Sequence, residues 1–207
     1  MSLKKNFIYW DNFYKNFSLK KESNFAYFVY KKIKKRKNIS LLDVACGNGR
    51  DTFFFLKKGC KVIGIDNSKI IINKNKKILS NIFIKKDICF KNFKYQKRFD
   101  IIYSRFFLHA INQDDENIFF NNIKKISHKN TLIFLEFRTV KDPLMERGKK
   151  LSYNERHYTH YRRFIDIKVL LNSLKKNNFK VTYKKSSFNY AIYKNQKPHI
   201  CRLIIKL

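Results

Sequence analysis

Proline and glycine are rare in this chain of 207 residues, with two of the first and five of the second. Without a stretch rich in either, no flexible linker divides the chain. No internal repeat is visible, and one domain with a full core is the expectation at this length. No apolar run approaches the length of a membrane span. The N-terminus lacks the uninterrupted apolar core of a signal peptide, so the expected compartment is the cytoplasm. The four cysteines, Cys46, Cys60, Cys89 and Cys201, lack the paired spacing that a zinc or dithiol redox site needs. They read as small buried thiols, and nothing in the sequence calls for a metal.

Acidic residues are scarce as well. Fifteen Asp and Glu face 47 Lys and Arg, a formal net charge of +32. Such a balance ordinarily points to nucleic acid or to an anionic membrane surface. Two features weaken that reading. Lys, Asn, Ile, Phe and Tyr are enriched together, as AT-rich codons alone would produce. The lysines are also scattered along the whole chain, including Lys31 to Lys37 and Lys74 to Lys77, instead of forming an arginine-rich stripe.

What is present is concentrated between Leu41 and Asp66. Leu41-Leu-Asp-Val-Ala-Cys-Gly-Asn-Gly-Arg-Asp-Thr52, followed by Cys60-Lys-Val-Ile-Gly-Ile-Asp66, reads as a strand, a glycine turn opening a helix, and a second strand ending in an acid. A strand over 39–44 would carry Asp43 near its carboxyl end. Gly47 and Gly49 would let the backbone come close to a ligand. Asp66 follows at the interval of one βαβ unit, where a second-strand acid meets ribose hydroxyls. That combination belongs to a nucleoside-containing cofactor. An acid before the turn is a poor neighbour for a pyrophosphate and a good one for a cation. S-adenosylmethionine, with its sulfonium and ammonium, fits better than a dinucleotide.

At these residues the chain resembles the class I, Rossmann-like S-adenosylmethionine-dependent methyltransferases. Their first motif runs Asp/Glu-x-Gly-x-Gly-x-Gly, with Ala45 here in place of the first glycine. The later elements keep the family order. A third strand over 82–88 ends near Asp87, which the resemblance sets facing the adenine amino group. Further strands are expected over 99–104 and 131–137, with helices over 51–58, 68–79 and 114–126 capped by Ser68 and Asp114. A helix over 165–176 and strands over 179–183 and 200–207 close the chain. The implied fold is α/β and doubly wound: a mostly parallel seven-stranded sheet, a C-terminal antiparallel hairpin and helices on both faces. One domain is expected over 1–207, with an N-terminal helical lid (1–37), a cofactor-binding half (38–139) and an acceptor-binding insertion with the closing hairpin (140–207).

Tyr9-Trp10-Asp-Asn-Phe13-Tyr14-Lys-Asn-Phe17 places aromatics on one face of a helix. Phe13 and Phe17 read as core packing. Tyr9, Trp10 and Tyr14 fit equally a lid over the cofactor, where aromatic faces attract a sulfonium. After the fourth strand, Ser104 and Arg105 are expected to meet cofactor or acceptor. His109 is a candidate general base, a structural histidine or a cofactor contact. The Asn/Asp-Pro-Pro-Tyr motif of amino-group methyltransferases is absent from this position, which counts against methylation of a nucleobase amine.

From Glu136 to Phe164 polar groups crowd together, and arginine replaces the usual lysine. Arg138, Arg162 and Arg163 suit bidentate capture of phosphate or carboxylate. Alternatively they pair with Asp142, Glu146 and Glu155. Arg138-Thr-x-x-Asp-Pro, His160-Tyr-Arg-Arg-Phe and the opening Tyr9-Trp-Asp-x-Phe-Tyr are similar to small methyltransferases encoded among bacterial capsule and surface-polysaccharide genes. That resemblance implies a phosphorylated or nucleotide-activated acceptor.

The expected cofactor residues are therefore Trp10, Tyr14, Asp43, Ala45, Gly47, Gly49, Arg50, Asp66, Asn67, Asp87, Ile88 and Ser104. Arg105, Arg138, Tyr161, Arg162 and Arg163 are expected at the acceptor, with His109 or His160 taking a proton. The expected partner is a small-molecule acceptor. RNA methylation is the rival reading, and a non-enzymatic module that joins this cofactor fold to a partner, as an assembly or regulatory subunit would, is a second.

Overall fold

The computed structural model describes residues 8–13, 21–193 and 195–207. Residues 8–13 are helical and form α1. α2 (Asn24–Ile33) is opened by Ser23, whose side chain accepts the Ala26 amide. Phe25, Ala26, Val29 and Ile33 recur at helical spacing and are fully buried, so α2 docks along one apolar stripe. The chain then runs β1 (Ser40–Val44), α3 (Arg50–Lys57), β2 (Lys61–Asp66), α4 (Lys69–Ile78), β3 (Phe83–Lys85), β4 (Phe99–Arg105), α5 (Gln113–Lys125) and β5 (Ser127–Arg138). Three short strands follow, β6 (Lys149–Lys150), β7 (Glu155–His157) and β8 (Tyr161–Arg163), then α6 (Ile167–Lys176), β9 (Lys180–Ser187) and β10 (Ile200–Lys206).

The main sheet has seven strands in the order β3-β2-β1-β4-β5-β10-β9. β1 to β5 are parallel, and β10 is antiparallel to both β5 and β9. This is the α/β architecture expected from the sequence. Strands are added outward from β1 to β3, and the chain then returns to lay β4 on the other side of β1. In open α/β sheets the crevice beyond the carboxyl ends at such a reversal is where ligands bind.

Successive side chains on the central strands go to opposite faces. Leu41, Ile101, Tyr103 and Phe134 pack with α2 and α3. Leu42, Ile102, Ile133 and Leu135 pack with residues of α5 and α6 on the other side. Both faces are covered, which is why these strands read as nearly unbroken apolar runs. Asp43, the penultimate residue of β1 and only 2% exposed, is a buried acid at the ligand end.

The sequence misjudged several boundaries. β3 is an edge strand of three residues paired only with β2, so pairing ends before Asp87. β5 begins at Ser127 because β4 pairs with it from Phe99 onward. Asn112, not Asp114, caps α5 by accepting the Asp115 amide. Asp114 sits in the first turn with Asp115 and Glu116, and Lys124 and Lys125 occupy the last, a distribution that matches the helix dipole. The expected polar insertion is a second, three-stranded antiparallel sheet in the order β6-β7-β8. Among the described residues no helix is long and apolar enough to cross a membrane.

Candidate active site

The turn between β1 and α3 places Ala45, Gly47 and Gly49 at positive φ, 56°, 52° and 75°. At Gly49 both backbone and space require glycine: a Cβ would stand 2.7 Å from the ring of Phe83, itself fully buried. Side chains from the following elements fix the turn. Asp66, ending β2, accepts the Gly47 and Ser68 amides, each at 2.9 Å. Asn75 of α4 donates to the Gly47 carbonyl at 2.8 Å. Each Asp66 oxygen thus takes one amide and retains a lone pair for a ligand hydroxyl.

Acids continue around this end. Asp43 accepts the Thr52 hydroxyl at 2.6 Å. Burial, and then the neighbouring Asp51 charge, hold its carboxyl well above the usual range. An acid in that state is poised to ionise beside a cation. Asp51 is fixed from three directions, by the Ser23 amide (2.7 Å), the Ser23 hydroxyl (2.8 Å) and the Tyr103 hydroxyl (2.6 Å). Its hydrogen bonds tie the start of α2 to the start of α3. Asp87 accepts from the Asn67 side-chain amide at 2.7 Å and the Cys89 amide at 2.8 Å.

The opposite end is basic. Arg105 donates to Glu136 at 2.9 Å, and Arg202 donates to the other Glu136 oxygen at 2.8 Å. Arg105 also lies over the ring of Phe106, 4.1 Å from its centroid. Phe106 has φ 59°, unusual for a bulky residue and costly unless the surroundings enforce it. Its amide donates to the Glu136 carbonyl at 2.7 Å, which pins the ring beside Arg105 and His109. Arg138 pairs with Asp142 at 2.8 Å. Arg162 makes no ion pair among the described residues, and burial together with Arg138 lowers it to about 10. His109 accepts the Arg138 amide through Nδ1 at 3.2 Å. Burial, and after it the charges of Arg138, Arg162, His160 and Arg105, push His109 well below the usual histidine value. His160 is lowered to about 3 by burial and by Arg162.

One cavity of about 850 Å³ joins the two ends. Its lining includes Asp43, Asp51, Asp66 and Asp87, with Arg50 beside Asp51, and also Arg105, Arg138, Arg147, Arg162, His109 and His160. α1 runs along it: Tyr9 stacks on His160 at 4.1 Å between centroids, Trp10 lies 5.0 Å from the same ring, and Ser68 donates to Asp11. The aromatic stripe therefore packs against the second sheet and the end of β2 while lining the cavity.

Of the residues expected at the cofactor, Trp10, Asp43, Ala45, Arg50, Asp66, Asn67 and Asp87 line the cavity. Gly47 and Gly49 shape the turn behind it. Ile88 is instead a core residue. Ser104 is buried away from the cavity lining, and its hydroxyl is the one buried side-chain polar atom without a partner among the described residues. Tyr14 and Phe17 lie outside the described residues. Of the acceptor residues, Arg105, Arg138 and Arg162 line the cavity. Tyr161 and Arg163 do not, because strand alternation turns them to the other face of β8. Tyr161 donates to Glu155. Arg163, 4% exposed, is consumed by Glu116, Gln113 and the Ile111 carbonyl. Ser23, Asp51, Tyr103, Leu144, Tyr158, Ala191, Ile192, Tyr193 and Gln196 also line the cavity, beyond the residues expected there. The Asp51 position directly after the glycine turn was a usable signal; the loop between β9 and β10 offered none.

A family model described as a methyltransferase domain matches residues 18–184. The chain belongs to that family. No curated protein matches it. Among solved structures it is similar to an S-adenosylmethionine-dependent methyltransferase from Clostridium acetobutylicum, at 16% identity and a TM-score of 0.71 over 99% of this chain and 98% of that one. It is also similar to the CcbJ methyltransferase from Streptomyces caelestis, at 10% identity and a TM-score of 0.72 over 96% and 97%. A third is the glycopeptide N-methyltransferase MtfA complexed with S-adenosylmethionine, at 15% identity and a TM-score of 0.66 over 89% and 95%. At such identities the likeness is one of fold.

Proposed function

We propose that the protein transfers a methyl group from S-adenosylmethionine to the oxygen of a small anionic acceptor, phosphorylated or nucleotide-activated, in the assembly of a bacterial capsule or surface polysaccharide. The observation that carries this reading is one cavity lined both by the acids around the glycine turn, Asp43, Asp51 and Asp66, and by Arg105, Arg138 and Arg162 at the ends of β4 and β5 and on β8. A cationic cofactor and an anionic acceptor would each find the matching end.

The acid end fits the cofactor. Asp66 keeps lone pairs for the ribose hydroxyls, Asp43 meets the positive charge, and Asp87 with Asn67 borders the base. Bound there, S-adenosylmethionine supplies an electrophilic methyl group on a sulfonium. The protein contributes placement, since an in-line displacement gains most of its acceleration from positioning. Trp10 and Tyr9 roof the cavity and exclude water, and Arg138 and Arg162 orient the acceptor. One methyltransferase of the same fold, MtfA, was solved with S-adenosylmethionine, S-adenosylhomocysteine and sinefungin, which supports the cofactor. The surface-polysaccharide role rests on the sequence patterns around Tyr9, Arg138 and His160. The missing amine-cradling motif after β4 counts against a nucleobase amine, and oxygen is the acceptor atom this reading assigns.

A volume of about 850 Å³ is in the upper part of the roughly 300–1,000 Å³ range of small-molecule sites. It suits a cofactor together with a small acceptor. The charge of +32 is the one observation favouring RNA instead. Incubation of the protein and methyl-labelled S-adenosylmethionine with extract of the source cells separates the two. Label in phosphorylated small molecules or surface glycan is expected; label in RNA would overturn the acceptor class.

A further inference from the structure

His109 is the histidine nearest in sequence to the end of β4 and the natural candidate for a base. Its hydrogen bonding argues for another role. The Arg138 main-chain amide donates to Nδ1 at 3.2 Å, so the Nδ1 lone pair is occupied and the neutral ring carries its proton on Nε2. A neutral imidazole in that tautomer has no second lone pair to offer. Taking a proton from an acceptor would require it at Nδ1, at the expense of the Arg138 amide bond, which belongs to the backbone leaving β5.

The surroundings reinforce this assignment. His109 is 4% exposed and lines the basic end of the cavity. After burial, the largest charge effects on it come from Arg138, Arg162, His160 and Arg105. Phe106 packs edge-on against the ring, with centroids 5.1 Å apart. An imidazolium here would add a positive charge beside three guanidiniums, whose nearest carboxylates, Glu136 and Asp142, are already engaged by Arg105 and Arg138.

We propose that His109 binds the acceptor as a hydrogen-bond donor through Nε2–H, completing with Arg138 and Arg162 a wall that recognises an oxyanion, phosphate or carboxylate, and takes no proton from the nucleophile. The inference rests on the methyl-transfer reading for the identity of the cavity's occupant, but the tautomer can be measured without it. The acceptor's nucleophilic oxygen then loses its proton to another group, or enters already ionised.

Long-range proton–nitrogen spectra of the histidine rings, recorded on the full chain, report the tautomer directly. His109 is assigned by the signal missing from His109→Asn. The expected spectrum is a neutral Nε2–H ring that does not titrate between pH 8 and pH 6. A proton on Nδ1, or titration in that interval, would overturn the proposal. Two variants test the donor in binding. Asn can replace Nδ1 as acceptor of the Arg138 amide but lacks the Nε2–H, whereas Gln can reproduce the donor.

Inorganic phosphate and acetate serve as probes in the presence of S-adenosylhomocysteine, with phosphorylated and carboxylate acceptors distinguished by which binds. His109→Asn should weaken probe binding about tenfold, as a hydrogen bond to a charged group requires, while His109→Gln stays close to the wild type. Equal loss in both, with melting temperatures unchanged, would contradict the donor role. Failure of S-adenosylhomocysteine to bind the wild type would instead sink the methyl-transfer reading and leave the tautomer result standing.

Discussion

Asp43 carries the sharpest residue-level expectation. It is buried, its carboxyl is held well above the usual range, and Asp51 and Asp66 repel its charge. Asp43→Asn should therefore leave the melting temperature unchanged or higher while weakening S-adenosylmethionine binding about tenfold or more, the loss of an ionic partner in a buried site. Scanning calorimetry and titration calorimetry read the two effects separately. Neighbouring arginines of β8 should behave in opposite ways. Arg163→Ala would strand Glu116, 2% exposed, at a cost of about 3–5 kcal/mol in a urea titration. Arg162→Ala should stay within about 0.5 kcal/mol and weaken acceptor binding alone. The pH dependence follows from His160, whose folded pKa near 3 lies below the ordinary 6.5. Its contribution to stability is complete above 6.5 and declines as pH falls from there toward 3, because the unfolded chain takes up the proton first. By roughly pH 5 the loss is about 2 kcal/mol. Chemical denaturation of wild type against His160→Gln should show the smaller acid sensitivity in the variant.

Among the elements, the glycine turn and its neighbours matter most. Gly49→Ala forces a Cβ to within 2.7 Å of the buried Phe83 ring at a φ of 75°, and should cost about 1–3 kcal/mol. A denaturant midpoint would register it, and an unchanged midpoint would mean that Phe83 can move aside. This part of the molecule was readable because its constraints are local. Asp43, Gly47, Gly49 and Asp66 lie within one βαβ unit, and the residue types there answer directly to backbone conformation and charge. The basic end was only half readable. Arg162 and Arg163 are identical residues side by side, and nothing in composition tells which faces the cavity. The pairing of β7 with β8 decides it, together with Glu116 waiting on α5. Likewise Asp51 was visible as a residue, but its partners Ser23 and Tyr103 come from 28 and 52 positions away. Ala191, Ile192, Tyr193 and Gln196 become part of the site only when the β9–β10 hairpin is laid beside β5.

At the scale of the molecule, the charge of +32 predicts nonspecific adhesion to polyanions that fades steeply with salt, through counterion release. Filter binding to bulk RNA at rising salt should show that fall, with no difference between wild type and Arg162→Ala. A difference would tie the cavity to nucleic acid. Methyl transfer in this cavity requires the cofactor to sit by the acids beneath α1. Titration calorimetry of S-adenosylmethionine into wild type and into Asp66→Ala tests this most directly. Saturable one-site binding that Asp66→Ala abolishes, with the variant still folded, is the predicted result. Undiminished binding in a folded Asp66→Ala, or none in the wild type, would contradict it.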